Sequence, residues 1–142
     1  MAGYSGTPLA KKLGIKPDSL VALLGAPSDF EQRLTGLPEG VRFTTRAAGA
    51  PALVIWFATS RRHLEGRVLD VARLVMAARD GRAAGGLWIA WPKKASGVVT
   101  DLTEDIVRRA GLAHGLVDYK VCAIDATWSG LKFARRRLSP GG

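Results

Sequence analysis

The sequence predicts a three-layer α/β sandwich built on a mostly parallel sheet. Three observations carry that expectation. Leu20-Val21-Ala22-Leu23-Leu24, residues 52–58 and Leu87-Trp88-Ile89-Ala90-Trp91 are apolar at every position, as strands are when both faces of their sheet are covered. Segments with helical spacing lie between these runs, so strand and helix alternate as far as residue 110. Two β-rich runs, residues 117–124 and 128–136, then flank Asp125-Ala126-Thr127, a gap of hairpin length that makes them antiparallel neighbours. Parallel strands joined through helices imply right-handed crossovers, with helices on both faces.

Each element has a local reason. Thr7 as N-cap, Pro8 at the first helical position and Gly14 at the end frame a short helix in which Leu9 and Leu13 lie four apart. Lys16-Pro17-Asp18 turns the chain into the first apolar strand, and Gly25-Ala26-Pro27 breaks it. Ser28 and Glu31 have capping-box spacing for a helix through about residue 34. Val41-Arg42-Phe43-Thr44-Thr45 alternates, the pattern of a half-exposed strand at a sheet edge. The clearest helix carries Leu64, Val68, Val71, Ala72 and Val75 on one stripe, with Arg67, Asp70, Arg73 and Ala77 opposite. Gly85-Gly86 leads into the third apolar strand, which Pro92 closes. A helix over residues 102–110 follows, with Asp101 and Glu104 as its capping box and Gly111 as its stop.

The chain has 142 residues, enough for one domain with a real core and too few for two. Residues 1–138 are expected to form that domain, with Ser139-Pro140-Gly141-Gly142 as a flexible tail. Hydrophobic residues make up 47% of it, which excludes wholesale disorder. A single cysteine, Cys122, leaves no internal disulfide and fits a reducing compartment. The apolar runs fall well short of the roughly 20 residues that span a bilayer, and no apolar stretch follows Lys11 and Lys12 as in a signal peptide. The expectation is a cytoplasmic protein that does not associate with membranes.

Net charge is +9, of which +3 falls in residues 1–71 and +6 in residues 72–142. Lys132, Arg135, Arg136 and Arg137 concentrate it near the end, with no acid after Asp125. Such an excess draws polyanions, and it also serves simply to keep a protein in solution. The four residues are the candidate nucleic-acid contacts.

Residues 9–24, a helix, a proline turn and an apolar strand, resemble the opening of a class I S-adenosylmethionine-dependent methyltransferase domain. Residues 64–91 resemble that fold's central helix, glycine turn and strand, and the hairpin after Gly111 resembles its antiparallel close. The resemblance implies a Rossmann-like, methyltransferase-like sheet in the order 2-1-3-4-6-5, one strand–helix unit short of a complete domain. The whole chain also resembles a family of small bacterial proteins known only as a domain of unknown function. That likeness is carried by Gly3-Tyr4-Ser5-Gly6-Thr7-Pro8-Leu9-Ala10, Trp91-Pro92-Lys93-Lys94-Ala95-Ser96-Gly97, Thr100-Asp101-Leu102-Thr103-Glu104 and residues 121–129. The methyltransferase pattern is broken at two places. The turn after the first strand has one glycine, Gly25, and a proline, Pro27, that lacks an amide donor. Thr44-Thr45-Arg46 stands where an acid would hold ribose hydroxyls. No cofactor is therefore expected, S-adenosylmethionine included.

Open α/β sheets bind ligands beyond the carboxyl ends of their parallel strands. Three loops are expected to meet there: residues 25–28, residues 59–63 with Arg61, Arg62 and His63 at the start of the long helix, and residues 92–100 with Lys93, Lys94, Ser96, Gly97 and Thr100. Cations in a first helical turn oppose the macrodipole, and a compensating anion would resolve that conflict. Free amides near Ser60 and Asp101 would add donors, making an anion pocket; the plainer reading leaves these side chains splayed in water. Trp91 and Trp128 at strand ends could stack a ring, whereas Trp56 and Trp88 read as core. Asp125 is the one candidate base, though an Asp in a hairpin commonly stabilises the turn. Cys122 reads as an inert strand thiol, and His63 and His114 have no metal-site spacing.

Three functions fit these residues. The first is a noncatalytic binding domain for an anionic ligand or nucleic acid. The second is an enzyme acting on a small phosphate- or carboxylate-bearing substrate, oriented by Lys93 or Arg61 with Asp125 as base. The third is a homodimeric, partner-binding protein joined through residues 41–45 or the terminal hairpin.

Overall fold

The computed structural model describes residues 7–46, 51–76 and 86–135. The described elements run α1 (Leu9–Leu13), β1 (Leu20–Leu24), α2 (Phe30–Arg33), β2 (Arg42–Thr44), β3 (Leu53–Phe57), α3 (Arg61–Met76), β4 (Leu87–Pro92), a 3-10 turn (Lys94–Ser96), α4 (Glu104–Leu112), β5 (Leu116–Ala123) and β6 (Trp128–Arg135). The strands form one sheet in the order β2-β1-β3-β4-β6-β5. β2, β1, β3 and β4 are mutually parallel; β6 runs antiparallel to β4 and β5 antiparallel to β6. The expected order 2-1-3-4-6-5 and the antiparallel close are both present.

Strand alternation divides the core between the two faces of this sheet. Ala22, Val54, Trp56, Leu87, Ile89, Trp91, Leu131 and Phe133 point to the face covered by α3 and α4. Val21, Leu23, Leu53, Ile55, Phe57, Trp88 and Ala90 point to the face covered by α1 and α2. All five residues of the α3 stripe, Leu64 through Val75, are buried, which is what holds this helix on the sheet. On the other face Phe57 lies edge-on between Phe30 and Trp128, with ring centroids 4.9 Å apart in each pair. The buried Trp88 indole donates to the Leu13 carbonyl at 2.8 Å, tying the end of α1 to β4.

The helix ends differ from expectation in instructive ways. Pro8 occupies the α1 cap position, one residue after Thr7, and no side chain caps the helix; Gly14, in the left-handed region at φ 85°, ends it as expected. α2 starts at Phe30, later than the Ser28–Glu31 spacing implies, with Asp29 at the cap and no side-chain cap bond. Burial of Phe30 anchors this single turn, while Asp29 pairs with Arg33 at 3.0 Å. For α4 the cap is Thr103, whose hydroxyl accepts from the Ile106 amide at 3.2 Å, and Asp101 is released for another task. Gly111 lies inside α4 and does not stop it. A Cβ there would come within 2.3 Å of the buried Phe133 ring, so this glycine lets the helix close down on β6. Ala77 and Gly85 lie outside the described residues.

Candidate functional site

At the start of α3 the expected anion pocket has an internal occupant. The Arg61 amide donates to Asp101 Oδ1 at 2.7 Å, and the His63 amide donates to Ser60 Oγ at 3.1 Å. The Thr100 hydroxyl donates to the Thr59 carbonyl at 2.7 Å and accepts from the Leu102 amide, which fixes the loop that delivers Asp101. The positive end of the helix thus receives its negative charge from within the chain. The Arg61 guanidinium turns back to Glu65 at 2.8 Å, and this hydrogen bond, with the Glu65 charge, raises its pKa further above the ordinary arginine value. Arg61 belongs to a groove of about 240 Å³ between α3 and α4, with Val68, Ile106, Ala110 and His114. Arg62 is exposed.

The loop after β4 is likewise engaged in its own structure. The Ser96 hydroxyl donates to the Lys93 carbonyl at 2.6 Å and accepts from the Val98 amide, and the Lys93 amide donates to the Thr127 carbonyl at 2.8 Å. Gly97 is left-handed at φ 83°, Lys93 is half-buried and Lys94 exposed. The expected stacking platforms are corrected outright: Trp91 is 6% and Trp128 8% exposed, so neither presents a ring face to solvent.

Asp125 is a turn residue with both oxygens in use. Its Oδ1 accepts from the Thr127 and Trp128 amides at 2.8 and 2.9 Å, and its Oδ2 pairs with Arg33 at 2.9 Å. No neighbouring group orients it as a base among the described contacts. Cys122 is partly buried, and no set of three metal-ligating side chains occurs among the described residues.

The two described members of the basic C-terminal cluster do not share a surface. Lys132 and Arg135 are three residues apart on β6 and therefore fall on opposite faces. Lys132 is 9% exposed; its ammonium donates to the Leu13 carbonyl at 3.3 Å and lies 5.5 Å from the Trp88 ring and 5.8 Å from the Tyr119 ring. Burial, and secondarily the charges of Lys120 and Lys16, push its pKa below the ordinary lysine value. Arg135 is exposed, while Arg136 and Arg137 lie outside the described residues.

A different set of residues meets where the strand order reverses, beyond the carboxyl ends of β1 and β3. Two cavities lie there, one on each face of the sheet. The first, about 210 Å³, is lined by Leu23, Gly25, Ala26, Pro27, Ser28, Glu31 and Thr45. The second, about 230 Å³, is lined by Leu24, Gly25, Thr45, Trp56, His63, Arg67 and Val71. They share Gly25 and Thr45. Gly25 is left-handed at φ 68°, and a Cβ on it would sit 3.0 Å from the Phe57 carbonyl, so only glycine lets the chain turn this close to β3. The His63 ring stands edge-on to Trp56 with centroids 5.8 Å apart. Arg67, one turn further along α3, adds a guanidinium whose nearest carboxylate, Asp70, is 3.9 Å away and exposed.

Of the expected ligand residues, only His63 belongs to this edge site. Thr45, Arg67 and Glu31 were not foreseen as ligand residues. Arg67 had a legible signal, since it lies four residues after His63 and so shares its helix face.

No protein-family profile matches the chain, and no curated protein matches its sequence. Solved structures do match in shape. A proposed type 11 methyltransferase from Sulfolobus solfataricus aligns with a TM-score of 0.57 at 11% identity, covering 94% of this chain and 92% of that one. Magnesium protoporphyrin IX methyltransferase from Synechocystis PCC 6803, with bound S-adenosylmethionine, aligns with a TM-score of 0.52 at 14% identity over 89% and 74% of the two chains. LepI in complex with S-adenosylmethionine aligns with a TM-score of 0.50 at 13% identity, over 90% of this chain but 39% of its own. At such identities the shared property is architecture, and the chain has the Rossmann-like fold of the class I methyltransferases.

Proposed function

We propose that the protein is a noncatalytic binding domain for a small anionic ligand, held in the paired cavities over Gly25 and Thr45. The observation that carries this reading is their position: both open at the reversal of strand order and meet at the same two residues. Arg67 and His63 supply cationic and hydrogen-bonding groups on one side. Ser28 and Thr45 supply hydroxyls, and Leu23, Leu24 and Val71 an apolar floor. A nucleoside phosphate has the matching chemistry, with an anion for Arg67 and a flat ring for the apolar wall.

The residues do not fit S-adenosylmethionine well. A cradle for that cofactor needs backbone donors after β1, where Pro27 has none, and an acid at the end of β2, where Thr45 and Arg46 stand. The carboxylate nearest in the cavity lining is Glu31, on α2.

Thermal-shift titration with AMP, ATP, inorganic phosphate and S-adenosylmethionine tests the reading. A nucleoside phosphate at about 100 times its Kd adds about 2.7 kcal/mol, raising Tm by roughly 8 °C for a domain of this size. Arg67→Ala is expected to abolish the shift. A shift from S-adenosylmethionine alone, lost in Glu31→Ala and kept in Arg67→Ala, would instead assign the cavities to that cofactor.

A further inference from the structure

We propose that the face of the β5–β6 hairpin beside the end of α1 binds single-stranded nucleic acid, with lysines on the phosphates and Tyr119 against a base. This surface lies at the amino ends of the parallel strands, at the other end of the sheet from Gly25 and Thr45. Lys132 pairs with Trp88 near the start of β4, and Lys16 precedes β1.

The convergence of charge is the first support. Lys120 and Lys132 are register partners on adjacent strands and point to the same face. Their ammonium groups donate to consecutive carbonyls at the end of α1, Lys120 to Lys12 at 3.2 Å and Lys132 to Leu13 at 3.3 Å. Lys16 is close enough to act on Lys132 electrostatically. Like charges gathered in this way repel, and ordinarily a carboxylate is placed among them. Among the described residues every ion pair is made by an arginine, none by these lysines. An external anion would supply their counter-charge.

The second support is the surface between the lysines. Tyr119 sits at a register irregularity in β5, is 55% exposed, and its ring lies against the Lys132 ammonium. Val117, on the same face, is 39% exposed. A sheet face offering an aromatic ring flanked by lysines is the arrangement that single strands use, with bases stacked on rings and phosphates along the cationic border. A duplex keeps its bases paired and stacked, and so offers none to the Tyr119 ring without the cost of extruding it. A membrane surface would call for larger apolar side chains than valine at the contact.

Fluorescence anisotropy of a labelled oligothymidylate of about 12 nucleotides, at about 50 mM and about 200 mM salt, tests the proposal. Binding at low salt that falls steeply with added salt is expected. Lys16→Glu/Lys120→Glu, at two exposed positions, should weaken binding at least about tenfold and reduce the log–log salt slope by about 1.4, for two phosphates lost. Tyr119→Ala should weaken it about fivefold or more, with little change in slope. Arg73→Glu/Arg109→Glu alters charge equally on the opposite, α3–α4 face and should leave affinity within about twofold. Circular dichroism confirms that each variant is folded. No binding at low salt overturns the proposal, as does an equal loss in the Arg73/Arg109 variant, which would reduce the effect to net charge. Binding to phosphatidylserine vesicles without binding to the oligonucleotide would also overturn it.

Discussion

Asp101→Ala removes the carboxylate that closes the start of α3. The Arg61 amide then loses a 2.7 Å charge-assisted bond, and the positive end of a 16-residue helix loses the carboxylate bound to its backbone, while Glu65 still pairs with the Arg61 side chain. Loss of a side-chain cap costs about 1 kcal/mol, and the charge–dipole interaction about 0.5 kcal/mol more at an exposed position. The expected sum, about 1.5 kcal/mol, corresponds to a fall in Tm of roughly 5 °C. Asp101→Asn keeps an acceptor and should lose only the smaller part, about 0.5 kcal/mol. Urea unfolding gives the energies, and amide hydrogen exchange gives the place. Protection should drop at Arg61 and His63 and stay unchanged in α4, which Thr103 caps independently. A neutral Asp101→Ala variant, or lost protection in α4 with α3 intact, would refute the assignment and restore Asp101 to the capping box that its spacing with Glu104 suggests.

Gly111→Ala should destabilise by about 2 kcal/mol in urea unfolding, because overlap with the Phe133 ring outweighs the gain of up to about 1 kcal/mol in helix propensity; a stabilised variant would show that α4 does not pack this closely. Lys132 has a lowered pKa in the folded state, so the native protein binds fewer protons than the unfolded chain between that value and the ordinary lysine value. Stability should therefore rise with pH through that interval, and Lys132→Met, compared with the parent by urea midpoints from about pH 7 to about pH 10, should lack the rise. Asp125→Ala should cost about 2 kcal/mol by freeing the Thr127 and Trp128 amides and the Arg33 partner; unchanged stability would remove its role in the turn.

Much of the fold was legible because its strands are buried on both faces. Continuous apolar runs such as Leu53 to Phe57 admit few other readings, and the Leu64–Val75 stripe has one period. Helix ends were less legible, since capping depends on which short polar side chain reaches an amide. Residue spacing put Asp101 on its own helix, whereas folding put it on another one 40 residues away. Gly111 read as a stop because a glycine's need to accommodate a distant ring, Phe133, leaves no local trace.

The candidate site was only partly legible for a related reason. Charge can be counted along a chain, but its partners are tertiary. The conflict of cations in the first turn of α3 was real, and Asp101 and Glu65 resolve it internally. Lys132 looked like one of four surface cations, yet strand alternation turns it inward against Trp88 and away from Arg135. Trp91 and Trp128 end their strands in sequence but are covered by neighbouring elements in the fold.

The most direct test of the central claim is a backbone-amide NMR titration with AMP. The account predicts saturable shift changes centred on Gly25, Thr45 and His63, with Arg67→Ala removing them. Changes confined to the α3–α4 groove around Ile106 and His114, or no saturable change anywhere, would contradict it.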